Sequence, residues 1–419
     1  MARKTPQVDP ESVEIGGRAR MIRGRRGLSL DAAAGLAGIS KPYLWQLENG
    51  KRRFARRGLI EDLAGALGCS VIDLTGQPYL PPDRATADAM ATVPGIQLAL
   101  HDYDPDDVPD ITPRPLDELA QWADNANEHC AQARYSLAGE DIGVVMTGLQ
   151  RHAFTVTASE QDLAFAAVVA ACFAAGVVAG NVGHVDLSVA AARRGYDLAN
   201  RSGDPALIGF ARWYWALTLT RLAARQRASS LLTTGIDELT PAVSLTGSGT
   251  VAAEMVGLMH LAQANTAARE QRADDANTHL AEAARLAARI GEHNGMRQHF
   301  GPTNVAMWRL GIGIELSDGG RAYEDTMRAE LDLSALGSAE RVASLRLNLA
   351  RALVTDGPDR DGEAIRHLDA ADRIAPQRIR NDPIARELVA ALNRRAHRRV
   401  WELDSLCNRF GVGTSGNGK

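Results

Sequence analysis

Apolar residues recur at helical spacing along most of this 419-residue chain. Five short amphipathic segments come first and are predicted to form a small head. A long region from Leu116 to about Phe410 follows, and in it we find no convincing alternation of period two. The pattern therefore predicts an all-α protein with a five-helix head and a larger helical body.

The centre of the head is Ser29–Arg53, which predicts two short helices joined by a tight turn and followed by a basic loop. Ser29 and Ser40 are good N-cap residues, so each is expected to begin a helix. Gly38 suits the left-handed conformation that ends the first helix, and Pro42 is tolerated in the first turn of the second. The other head helices are predicted over Val13–Arg26, Leu59–Leu67 and Val71–Leu74.

This stretch resembles the Cro/repressor-like (Xre) family of helix-turn-helix DNA-binding proteins. The matching pieces are Leu28-Ser29, Gly38-Ile39-Ser40 and Gln46-Leu47-Glu48-Asn49-Gly50-Lys51. In that family the second helix lies in the major groove, with its N-terminal residues at the base edges. The resemblance implies that three residues read bases. Gln46 can bind adenine bidentately, Lys41 can reach guanine acceptors, and Pro42 offers apolar contact.

The resemblance also implies backbone contacts and one structural ion pair. The residues expected to contact DNA phosphates are Ser40, Tyr43, Asn49, Lys51, Arg52 and Arg53. Leu30 departs from the family, which often places a phosphate-binding Gln directly after the cap. Tyr43 and Trp45 have a second interpretation, packing within the head. Arg23 is expected to pair with Glu48 and so to fix the registry of the first helix against the motif.

Composition divides the chain into five segments. We predict a flexible tail at 1–11, a helix-turn-helix domain at 12–78, a Pro- and Asp-rich linker at 79–114, a helical-repeat domain at 115–412 and a disordered tail at 413–419. Five acids occur between Asp102 and Asp110. They are expected to form a solvated spacer, or alternatively to shield the basic loop when no DNA is bound. A short helix is expected from Arg84 to Thr92.

An internal repeat predicts the architecture of the body. The pattern Ala-x-x-x-(Leu or Tyr)-x-x-Ala, or a weaker form of it, starts at five positions spaced by 36, 48, 46 and 42 residues. These positions are Ala192, Ala228, Ala276, Ala322 and Ala364. The pattern resembles the second helix of tetratricopeptide repeats, whose standard length is about 34 residues. The body is therefore predicted to be a degenerate tetratricopeptide-like solenoid.

A first helix fits ahead of each copy of this pattern. The expected first helices are Leu163–Gly180, Ala206–Arg225, Val251–Arg269, Asn304–Leu316 and Arg341–Thr355, and a terminal pair is expected over Ile384–Phe410. The uncharged run Leu163–Gly180 is long enough to span a membrane, but its Ala and Gly content favours a buried helix.

Charge is distributed unevenly along the chain. Residues 1–80 hold 13 Lys and Arg against 8 Asp and Glu, a net of +5, while the remainder holds 34 against 43, a net of −9. A basic head on an acidic body is typical of a nucleic-acid-binding module joined to a second function. Four scattered cysteines and no apolar segment behind the first charges indicate a reduced, cytoplasmic protein without a signal peptide.

An effector pocket is predicted in the body. The first helices of such repeats line the concave face, where ligands bind. Asn265, Asn304 and Asn348 lie on three successive first helices, 39 and 44 residues apart, and amides can both donate and accept hydrogen bonds. The pocket is expected to include Asn265, Arg297, Phe300, Asn304, Trp308, Arg309 and Asn348. The alternative is that Asn simply tolerates helix surfaces.

The chain contains no Gly-x-x-x-x-Gly-Lys loop, no His-Glu-x-x-His and no Gly-x-Ser-x-Gly. We therefore predict no enzymatic activity, no cofactor and no metal site. Head and body together resemble cytoplasmic bacterial regulators of the Xre type with helical-repeat bodies, including an actinobacterial group. The resemblance implies a sequence-specific, DNA-binding transcriptional regulator that senses a peptide, small-molecule or protein effector. Its expected partners are double-stranded DNA and a second copy of the chain in a homodimer. No membrane association is expected.

The competing hypothesis is a protein-interaction scaffold whose DNA-binding head is vestigial or architectural. Lys41, Gln46 and the basic loop favour the regulator, whereas Leu30 disfavours it.

Overall fold

The structure is a computed structural model that describes residues 14–80, 83–244, 246–247, 249–329, 331–355, 357–396 and 400–412. These residues are mainly helical, and the one β pairing found among them is an isolated bridge between His293 and Phe300. The tails predicted at 1–11 and 413–419 lie outside the described residues.

Five helices form the head. They are α1 (Ile15–Arg25), α2 (Leu30–Leu36), α3 (Lys41–Glu48), α4 (Arg57–Leu67) and α5 (Val71–Thr75). Local chemistry sets their ends: Ser29 Oγ accepts the N–H of Ala32 at 3.1 Å, and Ser40 Oγ accepts the N–H of Tyr43 at 3.4 Å. Gly38 takes the left-handed φ of 67° between α2 and α3. The predicted five-helix head is confirmed.

Residues 84–101 belong to the body rather than to an open linker. They form α6 (Arg84–Ala91) and α7 (Val93–His101), and Ala89, Val93 and Ile96 are buried in the core of the body. The expected helix beginning at Arg84 is present. The predicted linker at 79–114 is wrong for residues 84–101, because the high proline content conceals two helices whose apolar sides pack on the body.

The acidic stretch after α7 is also held on the body. Gln150 Nε2 donates to the carbonyls of Asp104 and Asp107 at 2.7 and 2.9 Å, and Arg194 donates to the carbonyls of Leu100 and Tyr103. The Asp104 and Asp107 carboxylates are exposed. Asp106 pairs with Arg201 of α12. Backbone carbonyls and this ion pair therefore fix the stretch, while Asp104 and Asp107 remain exposed to solvent.

Sixteen further helices complete the described body. They are α8 (Leu116–Ala131), α9 (Tyr135–Gly139), α10 (Ile142–Thr155), α11 (Ala158–Asn181), α12 (Val185–Ser202), α13 (Pro205–Arg221), α14 (Arg225–Leu239), α15 (Gly249–Arg269), α16 (Ala273–Ile290), α17 (Pro302–Glu315), α18 (Gly319–Arg328), α19 (Ala339–Thr355), α20 (Asp361–Ile374), α21 (Pro376–Arg380), α22 (Pro383–Arg395) and α23 (Trp401–Phe410).

Helix pairs repeat through this body, as predicted. The five copies of the alanine pattern fall on the second helices α12, α14, α16, α18 and α20, and the alanine that starts each copy is buried. Small residues at these positions let neighbouring helices approach closely. The tetratricopeptide-like solenoid is therefore confirmed, with first helices α11, α13, α15, α17 and α19.

The apolar helix α11 is a core helix of this solenoid. By length and composition it could cross a membrane, but most of its apolar window is buried in the protein. Phe165, Val168 and Cys172 are among its buried side chains. This placement agrees with the buried-helix interpretation of Leu163–Gly180.

The solenoid curves until its first and last repeats meet. Ser338 Oγ, just before α19, donates to the carbonyl of Ala131 in α8 at 3.0 Å. The loop after α16 reaches the same helix, where Arg297 Nη2 lies 3.0 Å from Asp124 Oδ2. The first helices consequently surround a central space, which the head covers.

Candidate DNA-binding face and effector cavity

The N-terminal half of α3 faces solvent. Lys41 and Pro42 are exposed, Gln46 is half-buried, and Leu44 and Leu47 turn into the core of the head. Within the described residues, the side chains of Lys41 and Gln46 make no hydrogen bond to protein. These donors and acceptors are therefore available for base edges in the way the sequence predicts.

Aromatic and basic residues are paired beside this face. Lys51 Nζ lies 4.4 Å from the ring centroid of Trp45, and the Arg52 guanidinium lies 5.6 Å from that of Tyr43. Trp45 is 43% exposed, whereas Tyr43 is half-buried against the core of the head. Tyr43 therefore packs within the head, whereas Trp45 lies at the surface. Lys51 and Arg52 both remain exposed.

Asn49 ends α3 and joins it to α1. Its Nδ2 donates to the carbonyl of Trp45 at 2.7 Å, and its Oδ1 accepts from Arg20 Nη1 at 3.5 Å. Asn49 and Ser40 are both exposed at the two ends of α3. They flank the same surface as the basic residues.

Arg53 does not join the exposed basic residues. Its Nη2 donates to the carbonyl of Arg351 in α19 at 3.2 Å. Burial lowers the pKa of Arg53 to about 10, with a further contribution from the nearby charge of Arg351. The prediction that Arg53 contacts phosphate is wrong in this arrangement, because its side chain is committed to the junction between head and body.

Arg23 and Glu48 form the predicted ion pair. Arg23 Nε and Nη2 donate to the two carboxylate oxygens of Glu48 at 2.6 and 2.8 Å, and Nη1 donates to the carbonyl of Leu28 at 2.9 Å. The Glu48 side chain is only 2% exposed. This bidentate geometry fixes α3 against α1 and so orients the surface that carries Gln46.

The head is docked on the body through a buried charge cluster. Glu61 of α4 accepts from Arg225 Nε at 2.6 Å and from Arg269 Nη1 at 2.8 Å. Arg225 also pairs with Asp62 at 2.8 Å and donates to the carbonyl of Gly58 at 3.0 Å. Two body helices are thereby attached to one face of α4.

The N-terminus of α4 makes a second attachment. The N–H groups of Arg57 and Gly58 donate to Glu315 at 3.2 and 3.4 Å, and these N–H groups have no partner within their own helix. Arg351 bridges Glu315 and the carbonyl of Ala55, at 3.0 Å each. Asp382 pairs with Arg57. The start of α1 makes a further attachment, where the N–H of Ile15 donates to Glu387 at 3.2 Å and Glu14 pairs with Arg394. Among the described residues, Lys41 and Gln46 of α3 have no hydrogen bond or ion pair to the body.

A cavity of about 590 Å³ lies between head and body. The head contributes α4 and α5 residues to its wall, and the body contributes residues from α8, α11, α13, α15, α17 and α19. The lining is mixed, with aromatic surface from Phe173, Trp213 and Trp308 and a majority of cationic over acidic side chains. This size falls within the range of small-molecule sites.

The predicted effector residues are only partly brought together. Asn265, Arg297 and Trp308 line the large cavity. Asn265, Asn304, Trp308 and Asn348 line an adjoining cavity of about 230 Å³. The amide of Asn304 is largely committed, because Nδ2 donates to the carbonyls of Gln298 and His299 at 3.3 and 2.9 Å.

Two members of the predicted pocket lie elsewhere. Phe300 is fully buried, and its ring occupies the space beside Gly257, where a Cβ would lie 2.1 Å from Cζ. Arg309 is exposed and lines neither cavity. The expectation is wrong for both. Phe300 precedes α17 and is directed into the core against Gly257. Arg309 points away from the cavity that Trp308 lines, because adjacent residues of a helix point in different directions.

The arginines that enclose the cavity are not among the residues predicted from the sequence. Arg221, Arg341 and Arg378 line it, but each stands singly in an ordinary helical segment. One weak signal was available: Arg221 closes a helix, Pro205–Arg221, that is otherwise mostly apolar. Only the closure of the solenoid brings these three side chains to one space.

Comparison with known proteins agrees with the geometry of the head. A family model described as a helix-turn-helix domain matches residues 14–75. The head is a helix-turn-helix domain. The match covers the head alone, and no curated protein matches the chain.

One solved structure with partial similarity is the crystal structure of Bacillus thuringiensis PlcR in complex with the peptide PapR7 and DNA. The overlay covers 66% of this chain and 95% of that chain, at 13% sequence identity and a TM-score of 0.28. A score this low carries no argument about function.

Proposed function

We propose that this protein is a sequence-specific, DNA-binding transcriptional regulator of the Xre type. The observation that carries the proposal is the exposed surface of α3. Lys41 and Gln46 make no hydrogen bond to the described residues, and Lys51 and Arg52 are exposed beside them. Base readers next to phosphate-binding cations form a complete DNA-reading surface.

In this proposal α3 enters the major groove. Lys41, Pro42 and Gln46 read base edges, while Ser40, Tyr43, Asn49, Lys51 and Arg52 contact phosphates. Arg53 is left out of this set because the junction with the body engages it.

Heads of this type bind two half-sites about 34 Å apart, so we further propose a homodimer. The body is the larger part of the chain and is the proposed source of the dimer contact. The body is also proposed to sense an effector, since its first helices surround a cavity that the head closes.

Selection of bound sequences from random double-stranded DNA tests the proposal. We expect a palindromic consensus from the parent protein. Gln46→Ala should weaken binding by about 1–3 kcal/mol and relax preference at one position per half-site. Gln121→Ala, at an exposed position on α8, is the matched control and should leave the consensus unchanged.

The outcomes separate the two hypotheses. Equal loss of affinity on selected and random DNA in Gln46→Ala would contradict the assigned base contact. Recovery of no consensus at all from the folded parent would favour the scaffold hypothesis, in which the head no longer reads sequence.

A further inference from the structure

The cavity between head and body has an excess of positive charge. Six arginines line it against four carboxylates, from Glu61, Glu128, Glu340 and Asp382. Arginine stays protonated at any physiological pH. The lining therefore carries a net charge of +2 in a space partly removed from bulk water.

The excess lies in the body wall, away from the carboxylates of the head. Arg57 and Arg269 are neutralised by Asp382 and Glu61. Arg297 is neutralised by Asp124, which lies outside the lining. Arg378 has Glu340 at 2.9 Å and also donates to Asn181 Oδ1 at 3.0 Å.

Arg341 and Arg221 are less well compensated. Arg341 contacts the amide oxygens of Gln298 and Asn304 at 3.2 and 3.4 Å, and no carboxylate of the described chain lies within ion-pair distance of it. Arg221 has no hydrogen bond and no ion pair among the described residues. Burial lowers the pKa of Arg221, and the neighbouring charge of Arg378 lowers it further.

The guanidinium of Arg221 rests against Gly180 of α11 in the wall of the cavity. A Cβ on Gly180 would lie 2.5 Å from Arg221 Nη1, so a glycine is required for the guanidinium to rest there. An unpaired guanidinium in a partly closed space is costly unless an acceptor reaches it. An anionic group is the acceptor that these positions lack.

The rest of the wall defines the other end of the ligand. Phe173, Trp213 and Trp308 provide flat apolar surface on the body side. Ile60 of α4 and Ile72 of α5 provide apolar surface on the head side. A molecule in this cavity consequently touches both parts of the protein.

We propose that the cavity binds a small amphipathic anion, an acidic oxygen group carried on an aromatic or aliphatic body. Arg221, with Arg341 and Arg378 beside it, takes the acidic group, and the aromatic wall takes the apolar body. The proposal rests on the proposed sensing role of the body and supplies its ligand class. Because α4 and α5 form part of the wall, occupancy acts on the docked head directly.

Two fluorescent probes of matched skeleton test this on the full-length protein. 8-Anilinonaphthalene-1-sulfonate carries an anionic group, and N-phenyl-1-naphthylamine is its neutral counterpart. We expect the sulfonate to bind at least tenfold more tightly. Energy transfer from tryptophan to the bound probe reports proximity to the wall that contains Trp213 and Trp308.

Arg221→Gln should weaken sulfonate binding by about 10- to 100-fold, the value of one charge-assisted hydrogen bond, and should change binding of the neutral probe by less than about twofold. Arg221→Lys should restore part of the affinity. Arg309→Gln removes an exposed arginine next to Trp308 in sequence and should leave both affinities unchanged. Circular dichroism and thermal melting identify any variant that fails to fold, and Arg221→Lys then carries the test.

Equal affinity of the two probes for the parent, or unchanged sulfonate affinity in a folded Arg221→Gln variant, would overturn the proposal. The measurement involves no DNA. A protein that selects a DNA consensus but shows no preference for the sulfonate keeps the regulator and loses the anion site. A protein that binds the sulfonate but selects no DNA consensus keeps the anion site and loses the regulator function.

Discussion

The head is attached to the body at several points, and Glu61 joins it to two body helices at once. The Glu61 side chain is 4% exposed, and its two carboxylate oxygens accept from Arg225 and Arg269. Glu61→Gln keeps the size but replaces one of the two acceptor oxygens by an NH2 group, which cannot accept from an arginine. One charge-assisted hydrogen bond is therefore lost, and the docked head should loosen.

The magnitude follows from the partners that remain. A hydrogen bond to a charged group contributes about 1.5–3 kcal/mol, so the loss of one weakens docking by about that amount. Arg225 keeps Asp62 at 2.8 Å, while Arg269 keeps only the carbonyl of Thr220 at 3.4 Å. Most of the loss therefore falls on Arg269. The weaker docking corresponds to a roughly 10- to 150-fold increase in the undocked population.

Amide hydrogen exchange of the full-length protein measures this population directly. The N–H groups of Arg57 and Gly58 donate across the junction to Glu315, so they are protected only while the head is docked. Their exchange should accelerate by the same factor. Amides inside α3 and α20 report the intact head and body and should not change.

Glu118→Gln is the matched control. It breaks an exposed pair with Arg114, whose side chains are 46% and 59% accessible, and such pairs contribute about 0–1 kcal/mol. Parental exchange rates at Arg57 and Gly58 in a folded Glu61→Gln protein would refute the assignment of Glu61 as an attachment that holds the head.

Further predictions concern the basic loop and the start of α1. Arg52→Ala should reduce the slope of log affinity against log salt by about one, whereas Arg53→Ala should leave it unchanged, and titrations at several salt concentrations would check both; equal slopes in the two variants would contradict the assigned positions. Burial, assisted by Glu14, raises the pKa of Glu387 from 4.5 to about 7. The folded protein therefore binds a proton that the unfolded chain releases, and stability falls as pH rises through this window. Glu387→Gln should abolish that fall and raise the free energy of unfolding at pH 8 by roughly 2–3 kcal/mol relative to the parent protein, measurable by denaturation at a series of pH values. An unchanged pH profile of stability would rule out this role of Glu387. Light scattering of residues 83–419, which retain α6 and α7, should show a dimer at micromolar concentration, and a monomer alone would contradict the proposed dimer contact.

Much of the fold could be predicted because its signals are local. Caps at Ser29 and Ser40, and the alanine pattern of the second helices, depend on residues within a few positions of one another. The helices at 84–101 were placed in a linker because the surrounding prolines dominate the composition. The apolar sides of these helices can be recognised as core-facing only when the body surface that buries them is known.

The candidate site was less accessible to sequence reasoning. Regular spacing placed Asn265 and Asn348 near one another, since equivalent positions of stacked helices are adjacent. The same rule gave the wrong direction for Arg309. Arg221 and Arg53 take their roles from long-range closure, with partners or neighbours far away in the chain, and no periodicity records such contacts.

The meeting of α8 with the segment before α19 has a consequence for how this body can fold and change. In an open array each repeat contacts only its neighbours, so units can be added, lost or unfolded from one end. Here the contacts of Ser338 with Ala131 and of Arg297 with Asp124 close the array on itself. Duplication or deletion of a repeat would separate these partners. The number of repeats is therefore fixed by geometry, and melting of one end is coupled to the other.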